Sequence, residues 1–501
     1  MVSARASVYS IFRLCLSLLG SISCATQMTH DNSTNPEARI ELEPCNFASY
    51  SSEALCGSYE VFEDRNLRAG RKIKLNIVKL PALGGDAAPD PVFFLSGGPG
   101  QGAAKIASNG EDSLMTNLRR QRDLVFVDQR GTGDSHPLHC DFFLRGAAAQ
   151  DFFEDLYPLD KVRACRISLE RIADLRLYTT PVAMDDLDAV RQALGYEKIN
   201  LYGVSYGTLA ALQYMRQHPS HVRSAALAGV ATPATRLPLH FAKGAQRALH
   251  KMIRDCSAEE NCRRIFPDTK RDFTQVLDRL DRGPVTFDLP HPKTKQIENV
   301  KLSRSAFAER IKNLLYNLQS ASVMPLLLRR AAEGDWTAFG KVVTGTRINS
   351  NHVPAMGVYL TVTCSESVPF IREDEIARET DGTFMGDYRT RAHQRACREW
   401  PRGEIPQAYF APLRSTTPVL LLSGELDGAT PPQFAAAAAK TLPNGRQILL
   451  PNTAHDYSSE CTKSIIQEFI SRGSVQGLDT HCLRNLTRPP FARELPARFT
   501  R

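Results

Sequence analysis

Val92 to Leu95, Leu124 to Val127, Ile199 to Tyr202, Ala225 to Ala228 and Val419 to Leu422 are short runs with almost no polar side chain. Such continuous runs predict strands buried on both faces of a parallel sheet. Lys72-Ile-Lys-Leu-Asn-Ile77 alternates with period two instead, which predicts a half-buried strand near a sheet edge. Between the runs lie helix-like stretches such as Met184 to Leu194, stopped by Gly195. Strand and helix in alternation specify a doubly wound α/β fold.

The alternation lapses after Gly229 and resumes near Pro418. The interval is rich in amphipathic stretches, at Phe241 to Asp255, Phe273 to Leu280, Phe307 to Leu318 and Val323 to Glu333. It also carries a hairpin pattern, Val285 to Leu289 followed by Val300 to Leu302. The organisation expected is a sheet domain over 40–230, a mainly helical cap over 231–405 and the rest of the sheet domain over 406–490.

The chain's 501 residues, 42% hydrophobic and 23% charged, supply ample core for such a domain and exclude general disorder. The formal charge of +8 is spread among acid–base mixtures rather than gathered in a block, which argues against a nucleic-acid binder. Arg5 and Arg13, the apolar run Leu14 to Ile22 and the small residues Ser23 to Ala25 have the three-part form of a secretory leader over 1–25. The run is too short to span a bilayer, so no stable membrane span is expected. Cleavage of the leader removes two of the eight excess charges and leaves +6. Lipidation at Cys24 is the alternative to a soluble exported product, although Ser21 stands where such signals usually carry leucine.

Export changes the reading of the cysteines. Ten lie beyond the leader, an even number suited to an oxidising compartment. The simplest pairing joins sequence neighbours: 45 with 56, 140 with 165, 256 with 262, 364 with 397 and 461 with 482. Zinc at His136-Pro-Leu-His-Cys140 is the competing use, but no second compact ligand pair accompanies it.

Chemistry concentrates in four loops. Gly203-Val-Ser-Tyr-Gly207 falls between a strand and the helical stretch Thr208 to Gln217, the context a nucleophile elbow needs to lift the hydroxyl of Ser205 above a sheet. A serine hydroxyl needs a base, and the base needs a partner that fixes its tautomer. In α/β-hydrolases these follow in the order acid, then histidine, each beyond a late strand. Asp427 follows the Val419 to Leu422 run, and His455 follows the next apolar run. Glu425 competes with Asp427 as the acid, and His481, beside Cys482, reads as a surface or packing residue. The glycine-rich loop Ser96 to Gly102 follows a buried strand and can offer a backbone donor to an oxyanion; the Tyr206 N–H is the other donor. A flexible turn is the plainer reading of that loop.

Ser96-Gly-Gly-Pro-Gly100, Asp128-Gln-Arg-Gly-Thr-Gly-Asp-Ser135, Gly203-Val-Ser-Tyr-Gly207, Gly424-Glu-Leu-Asp-Gly-Ala-Thr-Pro431 and Ala454-His455 together resemble serine peptidase family S33. That family comprises the prolyl and tripeptidyl aminopeptidases of the α/β-hydrolase superfamily, and its exported tripeptidyl branch is the nearest likeness. The resemblance spans residues 45 to 485 and is strong only in the two sheet portions. It implies Gly98 as the second oxyanion donor and a structural part for Arg130, holding the oxyanion loop. A solvated strand-end charge is the alternative for Arg130. The family usually has histidine where Ser96 stands.

The resemblance implies catalysis by Ser205, His455 and Asp427 without metal or organic cofactor, on peptides with a free N-terminus. A carboxylate is then needed for the α-ammonium group, and Glu366 is the candidate, with an exposed loop acid as the alternative. Two other readings stay open: a carboxylesterase or lipase with the same triad, and a non-catalytic binding protein on the same fold.

Overall fold

The computed structural model describes residues 40–46, 54–108, 112–140, 148–348 and 354–499. The leader over 1–25 and Cys24 lie outside them. Among the described residues, nine strands form one sheet: β1 (Glu43–Cys45), β2 (Ala54–Phe62), β3 (Lys72–Leu80), β4 (Val92–Leu95), β5 (Leu124–Val127), β6 (Ile199–Val204), β7 (Val222–Ala228), β10 (Val419–Gly424) and β11 (Gly445–Leu450). The order is β1-β2-β3-β5-β4-β6-β7-β10-β11. The pairings from β1 to β5 are antiparallel, and those from β5 to β11 are parallel. Two further strands, β8 (Val285–Pro290) and β9 (Ile297–Leu302), make the expected hairpin.

Every apolar run read from the sequence is a strand of this sheet, because alternate side chains enter different cores. Phe93, Leu95, Leu201, Leu227 and Leu421 face the helices Thr180–Ala193 and Tyr206–Gln217. Val92, Phe94, Ala228 and Leu422 face the helix Glu460–Arg472. The strand β3 lies third from the edge, because β2, which the sequence reading omits, pairs outside it. Polar residues and Gly57 interrupt β2 and hide its period.

From β4 the chain passes to β5 on one side and later returns to β6 on the other. This reversal of strand order opens a crevice beyond the carboxyl ends of β4 and β6, the usual place for a ligand in an open α/β sheet. The loops Ser96 to Gly102 and Ser205 begin there, and the loops carrying Asp427 and His455 leave the same ends of β10 and β11.

The cap has its own core, built from the helices Phe241–Ala258, Thr269–Asp281, Arg304–Leu314 and Met324–Ala332 and from β8 and β9. Phe152, Phe153 and Phe491, from outside the insert, join it. Conversely, the helix Met356–Glu366 and Trp400 pack in the core of the sheet, although both fall within 231–405. All eleven residues of that helix are buried, so it lacks the polar face by which a surface helix is recognised.

Among the described residues the five neighbour pairs of cysteines form five disulfides, Cys45–Cys56, Cys140–Cys165, Cys256–Cys262, Cys364–Cys397 and Cys461–Cys482. Cys140 is thereby withdrawn from any zinc site with His136. Among the described residues Cys364, His393 and Cys397 also cluster, but the two sulfurs are bonded to each other. No helix of the described residues is long and apolar enough to cross a membrane.

Candidate active site

Ser205 sits between β6 and the helix Tyr206–Gln217, with φ of 57° and ψ of −123°. An L-residue in this region is strained by about 1–3 kcal/mol, so the surrounding structure must hold it. The Ser205 N–H donates to the Ala228 carbonyl of β7 at 2.9 Å. Its own carbonyl accepts from the Thr208 N–H at 2.9 Å and the Thr208 hydroxyl at 2.6 Å. With both backbone groups fixed, the side chain is left on the wall of a cavity of about 640 Å³. The turn also needs Gly207: a methyl group there would lie 2.1 Å from the Leu95 carbonyl oxygen, so only glycine lets the helix start this close to β4.

His455 lines the same cavity. Its Nδ1 lies 2.7 Å from Asp427 Oδ2, which leaves Nε2 as the nitrogen able to serve a neighbouring hydroxyl. Asp427 is fully buried and saturated with donors. Oδ1 accepts from the N–H groups of Ala429 and Thr430, both at 2.8 Å, and Oδ2 also accepts from the hydroxyls of Thr430 and Tyr457, both at 2.7 Å. Burial alone would raise its pKa. The charge and hydrogen bond of His455 and the bonds from Thr430 outweigh burial and hold the carboxyl well below its ordinary range.

Glu425, the competing acid, instead accepts from the Asn452 N–H at 3.1 Å. His481 is exposed and pairs with Asp479. Thr430 and Tyr457 were missed by the sequence reading. Both stand two or three residues from Asp427 or His455, but spacing does not reveal that two loops fold onto one carboxylate.

Gly98 and Tyr206 line the cavity beside Ser205. A Cβ at Gly97 would be 3.2 Å from the Cβ of Ser205, so the glycine-rich loop closes directly over the serine. Tyr206 is the first residue of its helix, where an N–H has no partner within the helix.

Two expectations need correction. Arg130 does not hold the oxyanion loop, nor is it solvated. It is 1% exposed, forms a bidentate pair with Asp186 at 2.6 and 2.9 Å, and donates to the carbonyls of Glu63 and Leu177. Within the same motif Asp128 holds the loop: Oδ1 accepts from the Ala104 N–H at 2.9 Å, and Oδ2 from Asn76 and from the Asp134 N–H. A Cβ at Gly102 or Gly133 would lie 2.7 or 2.1 Å from its carboxylate, so those two positions need glycine.

Glu366 is absent from the cavity wall and is 1% exposed. It ends a wholly buried helix, and its oxygens accept from the Thr180 N–H at 2.6 Å, the Thr180 hydroxyl at 2.8 Å and the Tyr409 hydroxyl at 2.6 Å. The Thr180 hydroxyl is also 2.7 Å from that of Tyr206. Burial pushes the Glu366 carboxyl up to about 7, against the hydrogen bonds of Tyr409 and Thr180. Glu366 therefore supports the residue after Ser205 from behind and does not face the cavity. Among the described residues, the carboxylates on the cavity wall are Asp112 and Asp456. Asp112 caps the helix Ser113–Arg119 and lies 3.4 Å from Lys463. Asp456 is exposed and receives the Asn317 amide at 2.7 Å.

A family model described as the alpha/beta hydrolase fold matches residues 90–287, and one described as a TAP-like protein matches residues 382–482. Serine protease Hip1 of Mycobacterium tuberculosis is 24% identical over 486 residues, covering 90% of this chain and 89% of its own length. The tripeptidyl aminopeptidase of Streptomyces lividans is 27% identical over 194 residues, 36% of each chain. The solved proline iminopeptidase of Mycobacterium smegmatis covers 83% of this chain and 98% of its own at 16% identity, with a TM-score of 0.38.

Proposed function

We propose that this chain, an α/β-hydrolase by fold, is a serine peptidase of the S33 branch and an exported exopeptidase releasing residues or short peptides from a free N-terminus. The observation that carries the reading is the short Asp427–His455 contact on the cavity that also receives Ser205 at its strained turn. Ser205 Oγ attacks the scissile carbonyl while His455 Nε2 takes its proton, and Asp427 stabilises the imidazolium. The N–H groups of Gly98 and Tyr206 meet the oxyanion. His455 then returns the proton to the leaving amine. In the second half it accepts a proton from water, whose oxygen attacks the acyl carbon, and passes that proton to Ser205 Oγ as the acyl C–Oγ bond breaks.

The α-ammonium group is assigned to Asp456, the exposed carboxylate directly after the base. Five disulfides support the assignment to an oxidising compartment outside the cytoplasm. The esterase reading keeps one observation in its favour, the apolar wall formed by Phe94, Leu95, Ile106, Leu114 and Met115.

The test uses purified protein with free and N-acetylated forms of one peptide panel, with fragments identified by mass. Free peptides are expected to lose N-terminal fragments and acetylated ones to survive. Ser205→Ala is expected to lose at least 10³-fold in rate, on the order seen when a triad nucleophile is removed. Equal cleavage of both peptide forms would overturn the exopeptidase assignment, and substantial turnover by Ser205→Ala would overturn the nucleophile.

A further inference from the structure

Asp427 and His455 belong to loops from two different strands, and both loops are tied to the cap as well as to the sheet. On the acid side, the helix Phe241–Ala258 packs against the loop after β10. A Cβ at Gly244 would lie 2.0 Å from the Gly428 carbonyl oxygen, so the helix and loop backbones touch. One turn later Arg247 spans the loop, its Nη1 donating to the Glu425 carbonyl at 2.8 Å and its Nη2 to the carbonyl of Asp427 itself. On the base side, the His455 N–H donates to the Tyr316 carbonyl at 2.9 Å. The Tyr316 ring meets the imidazole edge to face, with centroids 5.1 Å apart, and the Asn317 amide holds Asp456.

We propose, on the premise of the triad above, that the cap is the common brace setting the Asp427–His455 geometry, with Arg247, Tyr316 and Asn317 as positioning residues. The two loops also bond directly to each other, through Leu426 N–H to the Thr453 carbonyl, Asn452 N–H to Glu425 and Tyr457 to Asp427, and the cap adds a hold on each from the far side. Catalysis tolerates little drift, since a misplacement of about 1 Å can cost about 100-fold in rate. Tying both loops to one packed body fixes their separation, so substrate contacts that shift the cap act on the triad itself. Arg247 provides the cleanest handle. Its side chain is exposed and lies off the wall of the reaction cavity, so it has no direct part in binding substrate there. Its planar fork reaches two carbonyls at once, which a lysine ammonium on a flexible stem does not reproduce.

The experiment measures kcat, KM, thermal midpoint and the rate of labelling by a small fluorophosphonate for full-length Arg247→Ala, Arg247→Lys and Asn317→Ala. For Arg247→Ala, kcat and labelling rate are expected to fall together by about tenfold, with KM within about twofold of the parent. Arg247→Lys is expected to recover only part of the loss. Asn317→Ala, whose partner Asp456 is the carboxylate proposed for the ammonium group, is read by the labelling rate, which needs no ammonium, and is expected to show a smaller loss there. A folded Arg247→Ala with kcat and labelling within about twofold of the parent overturns the brace, as does a loss confined to KM. If Arg247→Ala does not fold, an unchanged labelling rate in Asn317→Ala overturns it instead. Inactivity of the parent protein towards both peptides and fluorophosphonate would instead sink the triad reading, so the two failures are distinguishable.

Discussion

Glu366 shows how far a residue's chemistry can be read before its burial is known. Its charge suggested a ligand for an ammonium group, yet three donors occupy it inside the sheet's core. Neither the surrounding threonines nor Cys364 distinguishes an exposed loop from a buried helix end, and burial is what decides the role. Ser205, Asp427 and His455 could be singled out because the proposed triad imposes order along the chain, and the structure brings Asp427 onto His455 and His455 onto the cavity of Ser205. Burial of Glu366 also has a consequence for pH. Its folded pKa, raised to about 7 from an ordinary 4.5, means that the folded state binds more proton than the unfolded state between those values. Stability from this group is fully present below about pH 4.5 and is lost as pH rises through 7, by up to about 3 kcal/mol. Glu366→Gln removes the titration. The variant's stability relative to the parent is therefore expected to rise between pH 4.5 and 7, whatever its offset. Urea unfolding of both proteins across that range checks this, and parallel curves would refute it.

Among the elements, strands buried on both faces were legible because each is a short, continuous apolar run. The helix Met356–Glu366 was not, because burial on all sides erases the helical period. The junction it helps to form carries a charged seam that no local pattern marks. Glu309, on the cap helix Arg304–Leu314, pairs with Arg389 of the helix Tyr388–Arg398 and lies 3.4 Å from Lys312. Burial alone would raise Glu309, but Arg389 and Lys312 bring it down to about 2. Lys312, buried beside Phe241 and Tyr316, is pushed down to about 7 by its own burial, against the pull of Glu309. Such a group stabilises chiefly by not leaving its partners alone. Glu309→Gln strands two buried cations and is expected to cost about 3–5 kcal/mol in unfolding free energy. Glu309→Gln combined with Lys312→Met, which removes one stranded charge, should lose less than Glu309→Gln alone. A larger loss in the double variant would show that the seam is held by packing rather than charge.

For the whole molecule, the neighbour pairing of cysteines was legible because short loops close at small entropic cost. The reach of Phe152 and Phe491 into the cap was not, since nothing in a local stretch reveals a distant partner. The two facts meet in the way the body is held together. Each disulfide lies within a single core: Cys256–Cys262 in the cap, Cys140–Cys165 and Cys364–Cys397 on one face of the sheet, and Cys45–Cys56 and Cys461–Cys482 on the other. The cap is therefore joined to the sheet without a covalent cross-link among these bridges, by the Glu309 seam, the Arg247 contacts and apolar packing. The bridges act instead on the unfolded chain, whose freedom each one restricts according to the loop it closes. Cys364–Cys397 encloses a separation of 33 residues and Cys256–Cys262 one of 6. Chain entropy then predicts a loss of about 4 kcal/mol when the first is replaced by a serine pair and about 2 kcal/mol for the second. Denaturant unfolding of the two variants is expected to place Cys364→Ser/Cys397→Ser below Cys256→Ser/Cys262→Ser. The reverse order would mean that the cap's bridge fixes native geometry, on which the brace at Gly244 and Arg247 of the same helix depends.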